Sequence, residues 1–474
     1  MATTPSTPPA HPSAQPQTSG TSSAAIAARI DRVPTGRFHV KLTSAVGGGT
    51  FFDGFDAISL AVVLPLVVAT FHIGFGEAGH IISAGYLGQF IGALLIGALS
   101  DRIGRRKTFI ASIFFFGLLA IGCAVAWSAE SLMGFRLLQG LGLGAEVPIA
   151  TTLVNEYLGR RSRGRVSVLY QSLFTWGLFF APLTGLILTS VAGPENVWRI
   201  LLALGALPLV VAVVACFALP ESARWLAEQG RGAEADALVR RMEQEAVAAG
   251  HDLEDPAPAT VMPRPARTGL KDLIGSGYAA RTAMLAGLWF CTFFVTYGFT
   301  TWLPSMYVSV GGLAPSKSLT LTAVLGAVQV AMAYVVSGFV DRLGRIRTFL
   351  IGFAVAAAGA GFGAVNLSLL HNTDWPILFA TGVVMTIGIM LPTITLYLYT
   401  TELYPTRIRG FASSTASSFS RVASIVSPFV FGFLLSGHGG AGMVFTVLAV
   451  AAVLGFLIMA KWGVETRMRA LEDI

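Results

Sequence analysis

Charged side chains are scarce in this sequence. Asp, Glu, Lys and Arg together make up 12% of 474 residues, where a soluble domain carries roughly 25%. With 54% hydrophobic residues there is too little polar surface to face water on all sides, which excludes an ordinary soluble protein. Cysteine is scarcer still: Cys123, Cys216 and Cys291 fall in apolar stretches at no metal-ligand spacing, so they read as inert core thiols and exclude a disulfide framework. No Walker loop or dinucleotide fingerprint occurs, which argues against an ATP-driven pump. Neither enzymatic activity, nor a cofactor, nor a metal is expected. Residues 1–40, rich in Pro, Thr, Ser, Ala and Gln, hold no apolar run of signal-peptide length and read as a disordered cytoplasmic tail.

What is present is apolar length. The mean hydropathy is +0.69, and stretches of about 20 residues, enough to span hydrocarbon, occur near 43–70, 79–100, 107–127, 130–154, 167–190 and 197–219. Six more follow near 281–308, 318–340, 348–370, 375–401, 411–435 and 440–463. The expected fold is an all-α polytopic membrane protein, with twelve transmembrane helices in two six-helix bundles at 41–219 and 281–465. Residues 220–280 form the only long polar connection, with a helical stretch over Glu228–Val247 and a Pro-rich segment from Asp255 to Pro265. They read as a cytoplasmic linker, and 466–474 as a cytoplasmic tail.

The two sets of spans repeat each other. Gly97-Ala98-Leu99-Ser100-Asp101-Arg102-Ile103-Gly104-Arg105-Arg106 returns as Gly338-Phe339-Val340-Asp341-Arg342-Leu343-Gly344-Arg345, and Glu156-(x6)-Arg163-Gly164 returns as Glu402-(x6)-Arg409-Gly410. The offsets, 341 − 101 = 240 and 402 − 156 = 246, mark duplication of a whole half. Parallel six-helix repeats build many secondary transporters, with the substrate held between the halves near the bilayer midplane. Arginines crowd the connections after spans 2, 4 and 8 and before span 11, whereas the opposite loops near 71–79, 309–317 and 371–375 hold almost none. The positive-inside rule then puts both termini in the cytoplasm, and a bacterial inner membrane is the expected location. The net charge of +7 reads as topology and lipid contact, not nucleic-acid binding.

From residue 41 onward the chain resembles the major facilitator superfamily. The 97–106 loop is similar to that superfamily's signature between helices 2 and 3, and Arg136 with Gly140, Gly142 and Gly144 to its helix 4 motif. Leu219-Pro220-Glu221-Ser222-Ala223-Arg224 and Glu402-Leu403-Tyr404-Pro405-Thr406-Arg407 resemble the branch of sugar porters and metabolite:proton symporters. Asp101 and Asp341, ending helices beside basic loops, can pair with Arg and face neighbouring helix N-termini. With Arg102, Arg105 and Arg342, and with the pairs Glu156–Arg163 and Glu402–Arg409, they read as latches on the cytoplasmic side; loop solvation and topology signalling are the alternative.

Ionisable groups at membrane depth are costly and mark ion or substrate pathways. Asp53 and Asp56 lie i and i+3 on one face of span 1; two such carboxylates cannot both stay ionised cheaply, so at least one is expected to hold a proton. The Asp53-Gly54-Phe55-Asp56 string resembles the helix 1 motif of the aromatic acid:proton symporters, while a helix cap of a shorter span 1 is the plainer reading. In span 4, Arg136, Gln139 and Glu146 share an arc of about 80° at about 100° per residue. The sugar-porter resemblance implies that Asp56 pairs with Arg136; Glu146 is a further proton carrier or a structural partner of Arg136. In span 11, Arg421 lies about 15 Å beyond Phe411 on a face shared with Ser414, Ser417 and Ser424. An anionic ligand would complete it; pairing to Glu146 or Asp53 is the structural alternative.

Span 7 aligns Trp289, Phe293 and Tyr297, an arrangement more often used for packing or lipid contact. Gln171, Gln329, Thr393 and Tyr397 are further polar groups at cavity depth. The amides that sugar porters carry on helices 7 and 10 are missing from Leu288–Thr292 and Gly388–Pro392, which disfavours a hexose. The residues together favour a monomeric proton symporter importing a small organic anion, an aromatic carboxylate. A sugar or polyol symporter, a proton-antiporting drug exporter and a non-transporting receptor remain as alternatives.

Overall fold

The computed structural model describes residues 22–256, 278–404, 406–437 and 439–467. Sixteen helices account for the described chain, twelve of the spans being long and apolar enough to cross a membrane. The N-terminal half comprises α2 (Arg37–Phe71), α3 (Phe75–Ile103), α4 (Arg105–Ala124), α5 (Ala129–Tyr157), α6 (Arg160–Val191) and a last span broken into α7 (Pro194–Leu204) and α8 (Pro208–Ala218). The C-terminal half comprises α11 (Ala279–Ser309), α12 (Pro315–Leu343), α13 (Arg345–Ser368), α14 (Trp375–Glu402), α15 (Thr406–Leu435) and α16 (Gly440–Trp462). Between them lie α9 (Ala223–Glu228) and α10 (Gly232–Ala248), and α1 (Ser23–Arg32) precedes α2.

Three boundaries differ from the sequence reading. Residues 23–32, expected within a disordered tail, form a helix capped by Ser22, with Ile26 and Ile30 fully buried one turn apart. Its basic end is tied down: Arg29 forks Glu243 at 3.0 and 2.7 Å and reaches Asp236 at 2.5 Å, while Arg32 reaches Glu243 at 2.7 Å. Those partners, on α10, lie more than 200 positions away in sequence, so no local pattern announces the dock. The sixth span, expected continuous, breaks at 205–207 because Pro208 offers no N–H and its ring clashes with the preceding turn. Thr466, at the start of the expected cytoplasmic tail, is 4% exposed and donates to Glu402 at 2.5 Å. The Pro-rich part of the linker falls mostly outside the described residues.

Close approach governs how α3 and α5 pair. A Cβ at Gly88, Gly92, Gly140 or Gly144 would run into a backbone carbonyl of the facing helix, so these two helices meet backbone to backbone. The halves meet along α3–α15, α6–α12 and α2–α11. Their described side-chain contacts gather toward one end: Ser83 donates to the Ile425 carbonyl at 2.8 Å, Phe75 meets Trp302, and Gly79 abuts Pro428 and Gly432. From there contacts run inward to Gln89–Arg421 and to Trp176 and Ser172 against Tyr334. The opposite end carries the arginine-rich loops.

Candidate functional site between the two halves

On α2, Asp53 and Asp56 are 7% and 5% exposed, one turn apart. Arg136 on α5 places Nη1 at 2.9 and 2.8 Å from the two Asp56 oxygens and 2.9 Å from Gln139 Oε1. Gln139 Nε2 in turn donates to Asp56 at 3.1 Å. This closed, charge-assisted triangle satisfies both ions inside an apolar bundle. The break between α7 and α8 lies alongside, with Gly205 facing Asp56. A cavity of about 30 Å³ touches Asp56, Tyr86, Gln89 and Arg136 from one half and Thr301 from the other, room enough for a water.

Asp53 has no hydrogen-bond or ion-pair partner among the described residues, yet stands within electrostatic reach of both Arg421 and Asp56. Glu146 does not meet Arg136 among the described contacts. Its Oε1 accepts from Thr50 at 3.2 Å, Thr50 lies 2.5 Å from the Tyr170 hydroxyl, and Oε2 is buried without a partner.

In the C-terminal half, Arg421 is half-buried and Nη1 donates to Gln89 of α3 at 2.6 Å; it has no acidic ion-pair partner among the described residues. The same half holds a cluster of rings. Trp289 and Phe293 stack at 5.4 Å with 7° between planes, and Tyr397 meets Trp289 edge-on at 4.8 Å. Tyr297 lies 5.7 Å from Phe293 and 4.9 Å from Tyr86 of the other half. Trp289 Nε1 donates to Thr400 at 3.0 Å, which fixes the indole, while Tyr397 is 58% exposed at the open side of the cluster. Arg421 is within electrostatic reach of Tyr297 and Tyr397. Gln329 is buried in a separate recess with Phe299 and Leu178, and Gln171 is exposed against Thr151.

The loop charges pair within each half. Arg345 forks Glu402 at 3.0 and 2.6 Å and bonds Asp341 at 2.7 Å; Arg105 lies 3.8 Å from Glu156. The expected pairings of Glu402 with Arg409 and of Glu156 with Arg163, and the contacts of Asp101, fall on side chains outside the described residues. Arg102 and Arg342 are exposed. Glu221 accepts from the Arg106 amide at 3.0 Å, and Glu465 accepts from the amides of Arg345 and Ile346 at 2.9 and 3.2 Å, so each half's last helix is followed by a carboxylate on the start of its third.

A family profile described as "Sugar (and other) transporter" matches residues 35–474. The chain belongs to this family of major facilitator superfamily transporters. The niacin transporter NiaP of Acinetobacter baylyi is 32% identical over 95% of this chain and 99% of its own. The 4-hydroxybenzoate transporter PcaK of Pseudomonas aeruginosa is 31% identical over 85% and 88%, and a gallate transporter of Pseudomonas putida 31% over 88% and 90%. Among solved structures, the partially occluded inward-open xylose transporter XylE of E. coli superposes with a TM-score of 0.73 at 16% identity, covering 92% of this chain and all of that one.

Sequence reasoning missed three features of this sugar-porter-family member. Gln89 escaped notice although Ser83, Tyr86 and Gln89 recur every third residue in an apolar span, a polar stripe readable on one helix face. Glu465 repeats Glu221 at 465 − 221 = 244, close to the other offsets. The Thr50–Tyr170 bridge carries no sequence signal, because hydroxyls inside membrane helices usually bond their own backbone.

Proposed function

We propose that this transporter is a proton symporter importing a small aromatic carboxylate, with Arg421 as its anion-binding group. The observation that carries the reading is the company of Arg421: a guanidinium near mid-bilayer whose described side-chain partner is the neutral Gln89, within electrostatic reach of Tyr297 and Tyr397, which cluster with Trp289 and Phe293. A substrate carboxylate accepting a fork from it would complete the charge, and the Trp289, Phe293, Tyr297 and Tyr397 rings would hold an aromatic body by offset or edge contacts. Niacin, 4-hydroxybenzoate and gallate, carried by the relatives, are each one aromatic ring bearing one carboxylate.

Coupling follows from competition. An ionised Asp53 and a bound carboxylate both draw on Arg421, so the anion enters most favourably when Asp53 carries a proton. Protonation of Asp56 would then free Arg136 and alter how α2 holds α5, converting a proton into a conformational bias. Glu146, linked to α2 through Thr50, is a further proton carrier. Asp101, Arg102, Arg105, Glu156, Arg163, Asp341, Arg342, Glu402 and Arg409 serve as the cytoplasmic gate, and the contacts gathered at the opposite end support an inward-facing reading with both termini cytoplasmic in a bacterial inner membrane.

The test is uptake into proteoliposomes under an inward proton gradient, with labelled nicotinate, 4-hydroxybenzoate, gallate and xylose, with and without a protonophore. Accumulation of at least one acid, abolished by the protonophore, is expected. Accumulation of xylose but none of the acids overturns the anion reading; equilibration of an acid without accumulation overturns proton coupling.

A further inference from the structure

A second recess lies away from the transport path, where the first and sixth spans end on the arginine-loop side. It has a volume of about 730 Å³ and is bounded by the junction of α1 and α2, the end of α8 and the flank of α10. It lies where two candidate spans end, since Arg37 begins the first and Ala218 ends the sixth. The α10 wall is held rigidly by the ion pairs of Arg29 and Arg32.

The recess is chemically two-sided. Phe217, at the end of an apolar helix, is 87% exposed, and Val40 next to the recess on α2 is 67% exposed, as suits surfaces that meet acyl chains. Arg37 and Lys41, one turn apart on α2, line it, are exposed, and have no hydrogen-bond or ion-pair partner among the described residues. From α10 come Arg241 and Glu245, which pair with each other at 3.3 Å, and beyond the helix His251. The N-terminus of α2 opens on the same space, and its dipole favours an anion. The one carboxylate among the described lining residues is thus matched by Arg241, leaving Arg37 and Lys41 uncompensated among them.

We propose that this recess binds the headgroup of an anionic phospholipid, its phosphate between Arg37 and Lys41 and an acyl chain leaving past Phe217. Basic pockets at helix ends on the cytoplasmic side take such headgroups, and the volume falls in the range of about 300–1,000 Å³ used by small-molecule sites. The site is independent of Arg421 and of the coupling carboxylates, so it stands or falls separately from the transport reading.

Native mass spectrometry of the full chain in detergent, titrated with phosphatidylglycerol or phosphatidylcholine, tests it. Wild type is expected to retain phosphatidylglycerol in preference to phosphatidylcholine. Arg37→Gln/Lys41→Gln should weaken that retention about 30-fold, from about 1 kcal/mol for each basic residue near an anionic surface at about 1.4 kcal/mol per decade. Removing the same charge at Arg347 and Lys461, on the other half, should leave it unchanged. Should the double variant fail to fold by circular dichroism, Phe217→Glu, which puts a carboxylate at the mouth, should likewise release the lipid. Equal retention in wild type and variant, equal affinity for phosphatidylcholine, or displacement by free glycerol 3-phosphate would each overturn the proposal, the last by making the site one for soluble phosphates.

Discussion

In the N-terminal half the mid-depth arginine, Arg136, is surrounded by acceptors of its own half, both oxygens of Asp56 and one of Gln139. In the C-terminal half the mid-depth arginine, Arg421, reaches across to the other half for Gln89, a neutral group. The first cation is paired within its own half; the second has no acidic ion-pair partner among the described residues and lies within electrostatic reach of Asp53. The two halves of one fold therefore hold their arginines differently, and on the proposed reading the first stores a protonatable ion pair while the second offers an anion site.

Asp56→Asn should produce the largest effect that breaks this division. It strands Arg136 as a buried unpaired cation, which costs about 3–5 kcal/mol, and on the proposed coupling it removes the group that would cycle between charged and neutral forms. Thermal melting should show the lost stability and proteoliposome uptake the lost accumulation, with counterflow exchange surviving. Adding Arg136→Gln should restore stability without restoring accumulation; full protonophore-sensitive accumulation in both Asp56→Asn and Asp53→Asn ends the coupling assignment.

Arg421→Ala should behave in the opposite way, sparing stability because its described partner is an amide, but weakening acid binding. Loss of a desolvated charge-assisted contact costs about 2–5 kcal/mol, or about 30- to several-thousand-fold in affinity. Arg421→Lys should lose less, since an ammonium keeps the charge but not the fork. An uncharged amide analogue should discriminate little between wild type and Arg421→Ala. If acid and amide affinities fall equally, Arg421 is structural.

A smaller effect is expected at the aromatic wall. Trp289→Phe removes the bond to Thr400 at 3.0 Å, a loss of about 0.5–1.5 kcal/mol, or about 2- to 10-fold in acid affinity by isothermal titration; no change would place the indole outside the binding surface.

The mildest effect concerns α1, which belongs to neither arginine site. Glu243 is partly buried, which by itself would raise its pKa, but Arg29 and Arg32 outweigh this and hold it below the usual carboxylate range; hydrogen bonding to Arg29 does the same for Asp236. Groups depressed in the folded state add stability above their ordinary values, about 4.5 and 3.8, and lose it as pH falls through the folded values. Hydrogen exchange should therefore show residues 23–32 loosening below about pH 4.5 while the spans stay protected, and Arg29→Ala should loosen them at neutral pH. Equal protection of wild type and Arg29→Ala would refute the clamp.

Much of this molecule is legible in one sequence because its largest signals are periodic. Apolar length identifies the spans, and the repeat at offsets near 240 pairs the halves. Asp56 and Arg136 are readable as partners because each interrupts an apolar helix at a position resembling a known motif. What escapes is set by distant tertiary contact. Ile26 and Ile30 are two apolar residues in a polar, Pro-rich stretch, too few to mark a helix until α10 supplies the acids that hold it. The break before Pro208 hides inside an unbroken run of apolar residues. Gln89 is one amide among many small residues, and its importance appears only when the opposite half brings Arg421 to 2.6 Å.

The backbone-to-backbone seam of Gly88, Gly92, Gly140 and Gly144 bears on how selectivity could change over time. Because α3 and α5 share it, Gln89 on one helix and Arg136 and Gln139 on the other belong to a single stiff plate, and any added side chain along the seam would prise that plate apart. The spacing between the Arg136 ion pair and the amide that holds Arg421 is thereby frozen. The rings of α11 and the Tyr397 edge of α14 meet through side chains instead, so on the proposed reading new cargoes would be admitted by recarving the C-terminal wall while the coupling half is inherited intact.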